Sequence, residues 1–217
     1  MRMLKASLMV AATLLSTGCA NVGRSRDVSN PAVAGATLAR QVCSMCHGVT
    51  GVAPSPNFPN LAAQSKDYVV AQLTEFRGHS RSDPAGFEYM WGISRKLSDA
   101  QIQQLADYFA AQAPARHAPV GDANRLEIGR ALFAQGAADR GVPACSGCHG
   151  DQGQGIAAFP RLAGQHADYV RKQLLVFQRT DERPAGSIMK TVAHNLRPDE
   201  IDGAALYVQG LPGAVTP

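Results

Sequence analysis

Four cysteines and two histidines fall into two identical spacings. In each, two cysteines stand three positions apart and a histidine follows directly: Cys43, Cys46 and His47, then Cys145, Cys148 and His149. On a short helical turn, two such thiols can form thioethers with the two vinyl groups of one haem, and the histidine then faces the iron. The pattern therefore predicts two covalent haem c groups, with His47 and His149 as axial ligands of the irons.

Other uses of paired cysteines explain the pattern less well. A zinc site would need four ligands, and the remaining histidines of each half are scattered. Exported proteins often pair cysteines in structural disulfides, and Cys-x-x-Cys is also a redox motif. Neither kind of disulfide explains His47 or His149.

A methionine in each half is the candidate for the second axial position of each iron. Of the six methionines, three lie in the first nine residues and Met45 lies inside the first cysteine motif. The other two, Met90 and Met189, each stand seven residues before a leucine that opens the last helix of a half. We expect both to bind iron, and Met/His ligation raises the reduction potential of a haem.

Histidine is the competing ligand, and four histidines are unassigned. None of them recurs in both halves, since His166 aligns with Ser65 and His194 aligns with Arg95. We interpret the four as surface residues or as hydrogen-bonded polar residues rather than iron ligands: His79, His117, His166 and His194.

The cysteine motifs belong to a longer duplication. The second motif begins 102 residues after the first, and Phe-Pro-x-Leu-Ala-x-Gln occurs at residues 58–64 and again at 159–165. A repeat of this length predicts two duplicated domains. Pro59 and Pro160 stand where a chain returning past the haem could offer a carbonyl to the histidine ring. Prolines that merely stiffen a loop would look the same.

Helical patterns predominate, so we predict an all-α fold. Apolar residues recur at helical spacing after each repeated segment, and few windows alternate as a strand does. The last helix of the first half should run from Ser98 to Ala111 and that of the second from Arg197 to Gln209. Asn30 and Pro31 are a candidate start for the first helix of the first half.

Two glycines lie in the predicted first helices of the two halves. Gly35 and Gly129 could let the first and last helices cross closely, near Tyr108 and Tyr207. A glycine that a helix simply tolerates is the alternative.

Domain limits follow from composition. Residues 113–124 contain two prolines and have no apolar period, which predicts a linker. It separates a predicted first domain at 31–112 from a second at 125–217, and residues 20–30 are interpreted as a tether.

Residues 1–19 have the layout of an export signal, with basic residues, an apolar run too short to span a bilayer, and small residues before Cys19. The end of this segment resembles a bacterial lipobox, although Ser16 stands where that motif prefers leucine. Cleavage after Ala20 is the alternative and would remove Cys19. We expect a periplasmic protein that is anchored through a lipid on Cys19.

The formal net charge is +4, and removal of Arg2 and Lys5 with the signal would leave +2. Basic residues form no run anywhere in the chain. The sequence therefore excludes the electrostatic footprint of a nucleic-acid-binding protein.

Taken together, the two haem motifs, the two Phe-Pro-x-Leu-Ala-x-Gln segments and the methionine before each last helix resemble the diheme cytochrome c4 family. The resemblance covers roughly residues 34–211. It implies two cytochrome c domains in tandem, related by a pseudo-twofold axis, with His47/Met90 and His149/Met189 as ligand pairs and with carbonyls supplied by Pro59 and Pro160.

The resemblance also implies a function. Members carry electrons in the periplasm from quinol-oxidising complexes or dehydrogenases to terminal oxidases. With both axial positions of each iron filled, no position is vacant for a substrate, so we expect a carrier and not an enzyme. The alternatives are a cytochrome subunit of a larger dehydrogenase and a diheme oxidoreductase such as a thiosulfate dehydrogenase.

Overall fold

The computed structural model describes residues 24–212, and within them every regular element is helical. Isolated bridges join Ala137 to Val142 and Ile156 to Phe159. The α-helices of the first half are α1 (Gly35–Leu38), α2 (Ser44–His47), α3 (Lys66–Arg77), α4 (Pro84–Ser94) and α5 (Asp99–Ala110). Those of the second half are α6 (Ala123–Gln135), α7 (Ser146–His149), α8 (Ala167–Arg179), α9 (Ser187–His194) and α10 (Pro198–Gly210). The predicted all-α fold is confirmed.

The two halves repeat one packing scheme. The first helix of each half packs on the last, α1 on α5 and α6 on α10. The long middle helix also packs on the last, α3 on α5 and α8 on α10, and it carries the following helix, α4 or α9. Leu38, Ile102 and Phe109 are fully buried in the first core, and Phe133, Ile201 and Val208 are fully buried in the second half. Each half therefore has its own apolar core.

The last helix of the first half begins as the sequence predicts. The Ser98 hydroxyl accepts from the Gln101 amide at 3.2 Å, and the Gln101 side chain accepts from the Ser98 amide at 3.0 Å. This reciprocal pair satisfies two amides that a helix start leaves free. The corresponding helix α10 begins at Pro198, directly after Arg197.

The predicted helix start at Asn30 and Pro31 is wrong. The Asn30 side chain accepts from the Ala32 amide at 3.0 Å, which forms a local turn, and α1 begins only at Gly35. The Asn30 carbonyl is instead bound by the Gln101 side chain at 2.9 Å. From Ala39 to Cys43 the chain continues as a π-helical turn that leads directly into α2.

The glycines in the first helices lie at close helix crossings. A Cβ on Gly129 would lie 2.0 Å from the Gly203 carbonyl oxygen and 2.8 Å from the Tyr207 Cβ. A Cβ on Gly35 would lie 2.4 Å from the Gln104 Cβ, one turn before Tyr108. Glycine at both positions is therefore required by backbone approach and is not merely tolerated.

Reciprocal hydrogen bonds join the two halves. The Gln64 side chain accepts from the Arg161 amide at 2.7 Å and donates to the Arg161 carbonyl at 3.1 Å. The Gln165 side chain does the same to Asn60, at 2.8 and 3.0 Å. Gln165 is the repeat equivalent of Gln64, and Arg161 is that of Asn60. The interface thus contains one contact made twice, as a pseudo-twofold relation between the halves requires.

The segment that connects the halves is packed against them. Ala115 is buried, and a Cβ on Gly164 would lie 2.3 Å from the Ala115 carbonyl oxygen. His117 accepts from the Asn60 side-chain amide at 3.2 Å, and its ring centroid lies 5.1 Å from that of His166. Burial and the nearby His166 lower the pKa of His117. The residues between α5 and α6 form no helix, but they belong to the interface.

Within residues 24–212, no helix is long and apolar enough to cross a membrane. The predicted export signal and Cys19 lie outside the described residues.

We expect Gly129→Ala to lower the free energy of unfolding by about 1–3 kcal/mol, because the added methyl group would overlap the Gly203 carbonyl. Gly92→Ala is the control, since a Cβ there meets no atom within 4 Å and lies on the exposed side of α4. Urea unfolding followed by circular dichroism measures both variants. Equal midpoints for the two would contradict the close crossing of α6 and α10.

Candidate haem sites

Each cysteine motif forms the end of a short helical turn. In the first half, Cys43 directly precedes α2, which ends at His47. In the second half, Cys145 directly precedes α7, which ends at His149. The four cysteines of the two motifs are half-buried, and none of them forms a disulfide. Burial raises the pKa of the Cys43 thiol to about 12 and that of Cys145 to about 11. Four free thiols are thus available at the two predicted attachment sites.

A glycine turns the chain sharply after each histidine. Gly48 and Gly150 have φ angles of +74° and +83°, in the region that residues with a side chain rarely adopt. A Cβ on Gly48 would lie 2.1 Å from the Val52 carbonyl oxygen. The turn starts the loop that returns past the histidine to the Phe-Pro segment.

That loop fixes the orientation of each histidine ring. His47 Nδ1 donates to the Pro59 carbonyl at 2.9 Å, and His149 Nδ1 donates to the Pro160 carbonyl at 2.8 Å. Because a carbonyl oxygen can only accept, each Nδ1 carries the proton. Nε2 of each ring is therefore the nitrogen left to bind a metal. Histidines that bind metals usually donate the N–H of the other ring nitrogen to a carbonyl or carboxylate in this way.

Both rings are held in the neutral form. His47 and His149 are 7% and 5% exposed. Burial lowers the pKa of both rings, and the hydrogen bond to the proline carbonyl opposes this only in part. Phe58 and Phe159 meet the edges of the two rings, at centroid distances of 6.1 and 6.2 Å. A neutral, buried and oriented imidazole is the state that binds iron.

Met90 lies on α4 and directly follows Tyr89, which contacts an aromatic ring that also contacts His47. Phe58 contacts His47 on one side and Tyr89 on the other, where the Phe58 and Tyr89 centroids are 6.0 Å apart. Tyr89 is the residue before Met90. The loop that carries Phe58 therefore brings α4 close to the His47 ring.

Met189 lies on α9 of the second half. It packs against the core cluster that contains Leu132, Phe177 and Leu196. The Leu132 carbonyl in turn lies 3.9 Å from Cys145 Sγ. The two halves therefore place their methionines on equivalent helices, α4 and α9.

The four remaining histidines lie in other surroundings. His166 is buried at the interface and donates to the Ala53 carbonyl at 3.0 Å, and His117 lies beside it. His79 is exposed and stacks on Phe87 at 4.5 Å. His194 is exposed at the end of α9.

The donor set fits covalent haem in both halves. Each offers two free thiols, one neutral imidazole with Nε2 available, and a loop that is anchored to the ring. Among residues 24–212, no cluster of three or more His, Cys, Asp or Glu side chains forms an alternative metal site. The zinc alternative therefore has no ligand set within the described residues.

Comparison with known proteins agrees with this geometry. The family model for cytochrome c matches residues 32–112 and again residues 126–212. The chain is 36% identical over 208 residues to cytochrome c4 of Stutzerimonas stutzeri, covering 92% of this chain and 95% of that protein. The chain belongs to the cytochrome c4 family. A solved structure of cytochrome c4 from Acidithiobacillus ferrooxidans has a TM-score of 0.72 and 40% identity, and the match covers 78% of this chain and 98% of that one.

A more distant relative has a different name. It is the thiosulfate dehydrogenase electron acceptor of Stutzerimonas stutzeri strain A1501, which is 34% identical over 177 residues and is matched over 80% of each chain.

This member of the family thus has two cytochrome c domains in tandem and two covalently bound haem c groups. It is an electron-transfer protein, and its partners are redox proteins.

The sequence does not predict the roles of two pairs of buried polar residues, one of glutamines and one of arginines. In the sequence, Gln64 and Gln165 are visible only as part of a repeat, because a repeat shows which residues are equivalent but not which residues they contact. Arg81 and Arg183, which are 4% and 6% exposed, carried no repeat signal since insertions between the halves shift their spacing. A buried arginine is visible only once the packing is known.

Replacement of Cys145 and Cys148 by serine should halve the haem content, because thioether bonds attach each haem separately. The pyridine haemochrome assay, calibrated by protein concentration, should fall from two haems per chain to one. Ser146→Ala, which lies between the two cysteines, is the control and should retain two haems. A double cysteine variant that still carries two covalent haems would contradict the assignment.

Proposed function

We propose that this protein carries single electrons through two irons of His/Met ligation, with His47 and Met90 binding one iron and His149 and Met189 binding the other. The main support is the pair of equivalent hydrogen bonds from His47 to Pro59 and from His149 to Pro160. They leave one nitrogen of each buried ring for iron. The equivalent positions of Met90 on α4 and Met189 on α9 support the two methionines.

Bound haem supplies a one-electron change between ferric and ferrous iron, and the chain sets its surroundings. Burial of the histidines excludes water, and the two proline carbonyls hold the rings in one orientation. A soft thioether ligand favours ferrous iron, which raises the potential. Because the two His/Met pairs of the chain would hold both irons, electron transfer would need no ligand exchange.

We further propose domain limits at residues 31–112 and 125–217, with residues 113–124 as the linker. The position of Ala115 and His117 at the interface supports a linker that is part of the interdomain contact.

The proposed place of the protein is the periplasm, between a respiratory donor and a terminal oxidase or another acceptor. The export-like segment at 1–19 supports this location, and the match to named cytochromes c4 supports the role. A second candidate, electron acceptance from a dehydrogenase, is favoured by the likeness to the thiosulfate dehydrogenase electron acceptor. A donor that copurifies in stoichiometric amount would favour this second candidate.

Replacement of either Met90 or Met189 by alanine should remove about half of the weak sulfur-to-iron charge-transfer band and lower the potential of one haem, because the thioether stabilises ferrous iron. Both haems should remain attached, since the thioethers to cysteine are intact. Optical redox titration measures both effects. Met45→Leu is the control, because Met45 is 77% exposed within the first motif. An unchanged band in either alanine variant would assign that iron another ligand.

We propose lipid attachment at Cys19. Cys19→Ser should move the protein from the detergent phase to the aqueous phase in Triton X-114 partition, because it removes the thiol that would carry the lipid. Ser16→Leu, which brings the segment closer to a lipobox, should stay in the detergent phase. Mass spectrometry of the amino-terminal peptide identifies the lipid directly, and a mature chain that begins at residue 21 would contradict the proposal.

A further inference from the structure

The first cysteine motif carries exposed apolar side chains that the second motif lacks. Met45 stands between the two cysteines of the first motif and is 77% exposed, and Val49 stands two residues after its histidine and is 54% exposed. Their repeat equivalents in the second half are Gly147 and Asp151. The two halves therefore differ at the surface directly beside the two haem attachment sites.

Two arginines lie on a turn that packs beside Met45. The single 3₁₀ turn Arg24–Arg26 packs on the π-helical turn that leads into α2. Within it, the Ser25 hydroxyl donates to the Gln41 side chain at 2.7 Å. Gln41 stands four positions before Met45. The exposed guanidiniums of Arg24 and Arg26 therefore belong to the same side of the first half as the first cysteine motif.

A third arginine connects the surroundings of Met45 to those of Val49. The Arg40 carbonyl accepts from the hydroxyl of Ser44, the residue before Met45, at 2.6 Å. The Arg40 guanidinium lies over the Tyr108 ring at 5.9 Å. The Tyr108 hydroxyl in turn donates to the Val49 carbonyl at 2.8 Å. We call the surface that these contacts connect the Met45 face, and it consists of Met45, Val49, Arg24, Arg26 and Arg40.

The positive charge of the Met45 face is not compensated. Its three arginines are exposed, and none of them forms an ion pair with a residue in 24–212. Hydrogen bonds from Ser29 and the charge of Lys96 lower the pKa of Asp27. Asp107 pairs with Lys66 at 2.5 Å. The neighbouring carboxylates therefore have partners of their own.

The second motif has the opposite electrostatic character. Asp151, which takes the place of Val49, is exposed and forms no ion pair among residues 24–212. Arg140, on the turn that precedes the second motif, is bound to Glu200 at 2.8 Å and lies 3.6 Å from Asp139. An acidic surface would therefore be attracted to the first motif and repelled by the second.

We propose that this protein exchanges electrons with an acidic redox protein through the Met45 face of the first half. Methionine and arginine are enriched in protein interfaces, where an apolar centre excludes water and a charged rim surrounds it. Complementary charge steers the encounter and selects the partner. This inference rests on the proposed carrier function, because it needs a haem at Cys43 and Cys46. It does not depend on which residues are the second ligands of the irons.

The test is the rate at which flavodoxin hydroquinone, an acidic flavoprotein, reduces the full haem-loaded chain in stopped-flow absorption. The flavin gives up one electron and becomes the semiquinone, and one ferric haem becomes ferrous. At low ionic strength, the combination of Arg24→Gln, Arg26→Gln and Arg40→Gln should lower the second-order rate constant about tenfold, because steering is lost. At high salt the rate constants of variant and wild type should converge, since ions screen the attraction.

A matched variant separates the Met45 face from the net charge. The combination of Arg116→Gln, Arg125→Gln and Arg179→Gln removes the same charge from exposed positions outside this face. It should slow the reaction far less than the first combination. Equal slowing by the two combinations would show that only the net charge matters, and it would overturn the proposal.

The apolar centre is tested by giving the first motif the residues of the second. Met45→Gly combined with Val49→Asp should slow the reaction at high salt as well as at low salt, because loss of an apolar contact is not screened. A rate constant equal to that of the wild type at high salt would contradict the role of these two side chains.

A footprint locates the contact without any electron transfer. Oxidised flavodoxin, added to the ¹⁵N-labelled ferrous chain, should shift the amide resonances of residues 24–26 and 44–50. Residues 146–152 should not shift. If the largest shifts fall at 146–152, the second half is the docking half and the proposal is wrong.

Other occupants of the Met45 face would give other results. A second copy of the chain would appear in sedimentation velocity as a dimer that Met45→Gly with Val49→Asp dissociates. A lipid surface would appear as sedimentation with phosphatidylglycerol vesicles, in the Cys19→Ser chain, that the first arginine combination abolishes. Either result, together with an unchanged rate of reduction by flavodoxin, would overturn the proposal.

Haem content and the charge-transfer band, measured on the same samples, report separately on the proposed function. A missing band with two attached haems would refute the methionine ligands and leave the docking result in force. Two haems with intact bands, and a flavodoxin rate that none of the Met45-face variants changes, would refute the docking face alone.

Discussion

Gln64 and Gln165 connect the haem sites to the interface between the domains. Each glutamine binds the amide and the carbonyl of one residue in the other half, Arg161 or Asn60. The residue directly before each of these is the proline whose carbonyl orients the iron-binding histidine. The proline carbonyl that orients the ring and the amide that binds the partner domain therefore belong to the same peptide unit. A shift of one domain against the other would therefore change the orientation of both histidine rings.

The choice of a backbone carbonyl to orient each ring has an electrostatic consequence. A carboxylate in that place would add a charge and a titrating group next to the metal, whereas a peptide carbonyl has neither. The hydrogen bond is thus the same at any pH at which the fold persists. Burial keeps the rings neutral and limits the reorganisation of water around the site when iron changes its charge. Both features suit a carrier that must accept and release an electron with little structural change.

Much of the haem site could be predicted from local sequence. The spacing of Cys43, Cys46 and His47 requires only a short helical turn, and the cap at Ser98 depends on residues within one turn of it. The partners of His166 and Arg183 could not be predicted, because Ala53 and Gln72 lie more than 100 positions away in the chain. The failed prediction at Asn30 has the same origin, since Gln101 binds the Asn30 carbonyl from a distant helix. Periodicity describes one face of one element, whereas these contacts depend on how elements meet.

The doubled contact between glutamine and backbone is the arrangement that two identical single domains would form around a true twofold axis. Two separate chains joined in this way would dissociate on dilution. Here the packed segment around Ala115 joins them, and it converts a bimolecular association into an intramolecular one. The distance between the two irons is thereby made independent of protein concentration, so that even a sparsely expressed molecule retains both redox centres as a pair.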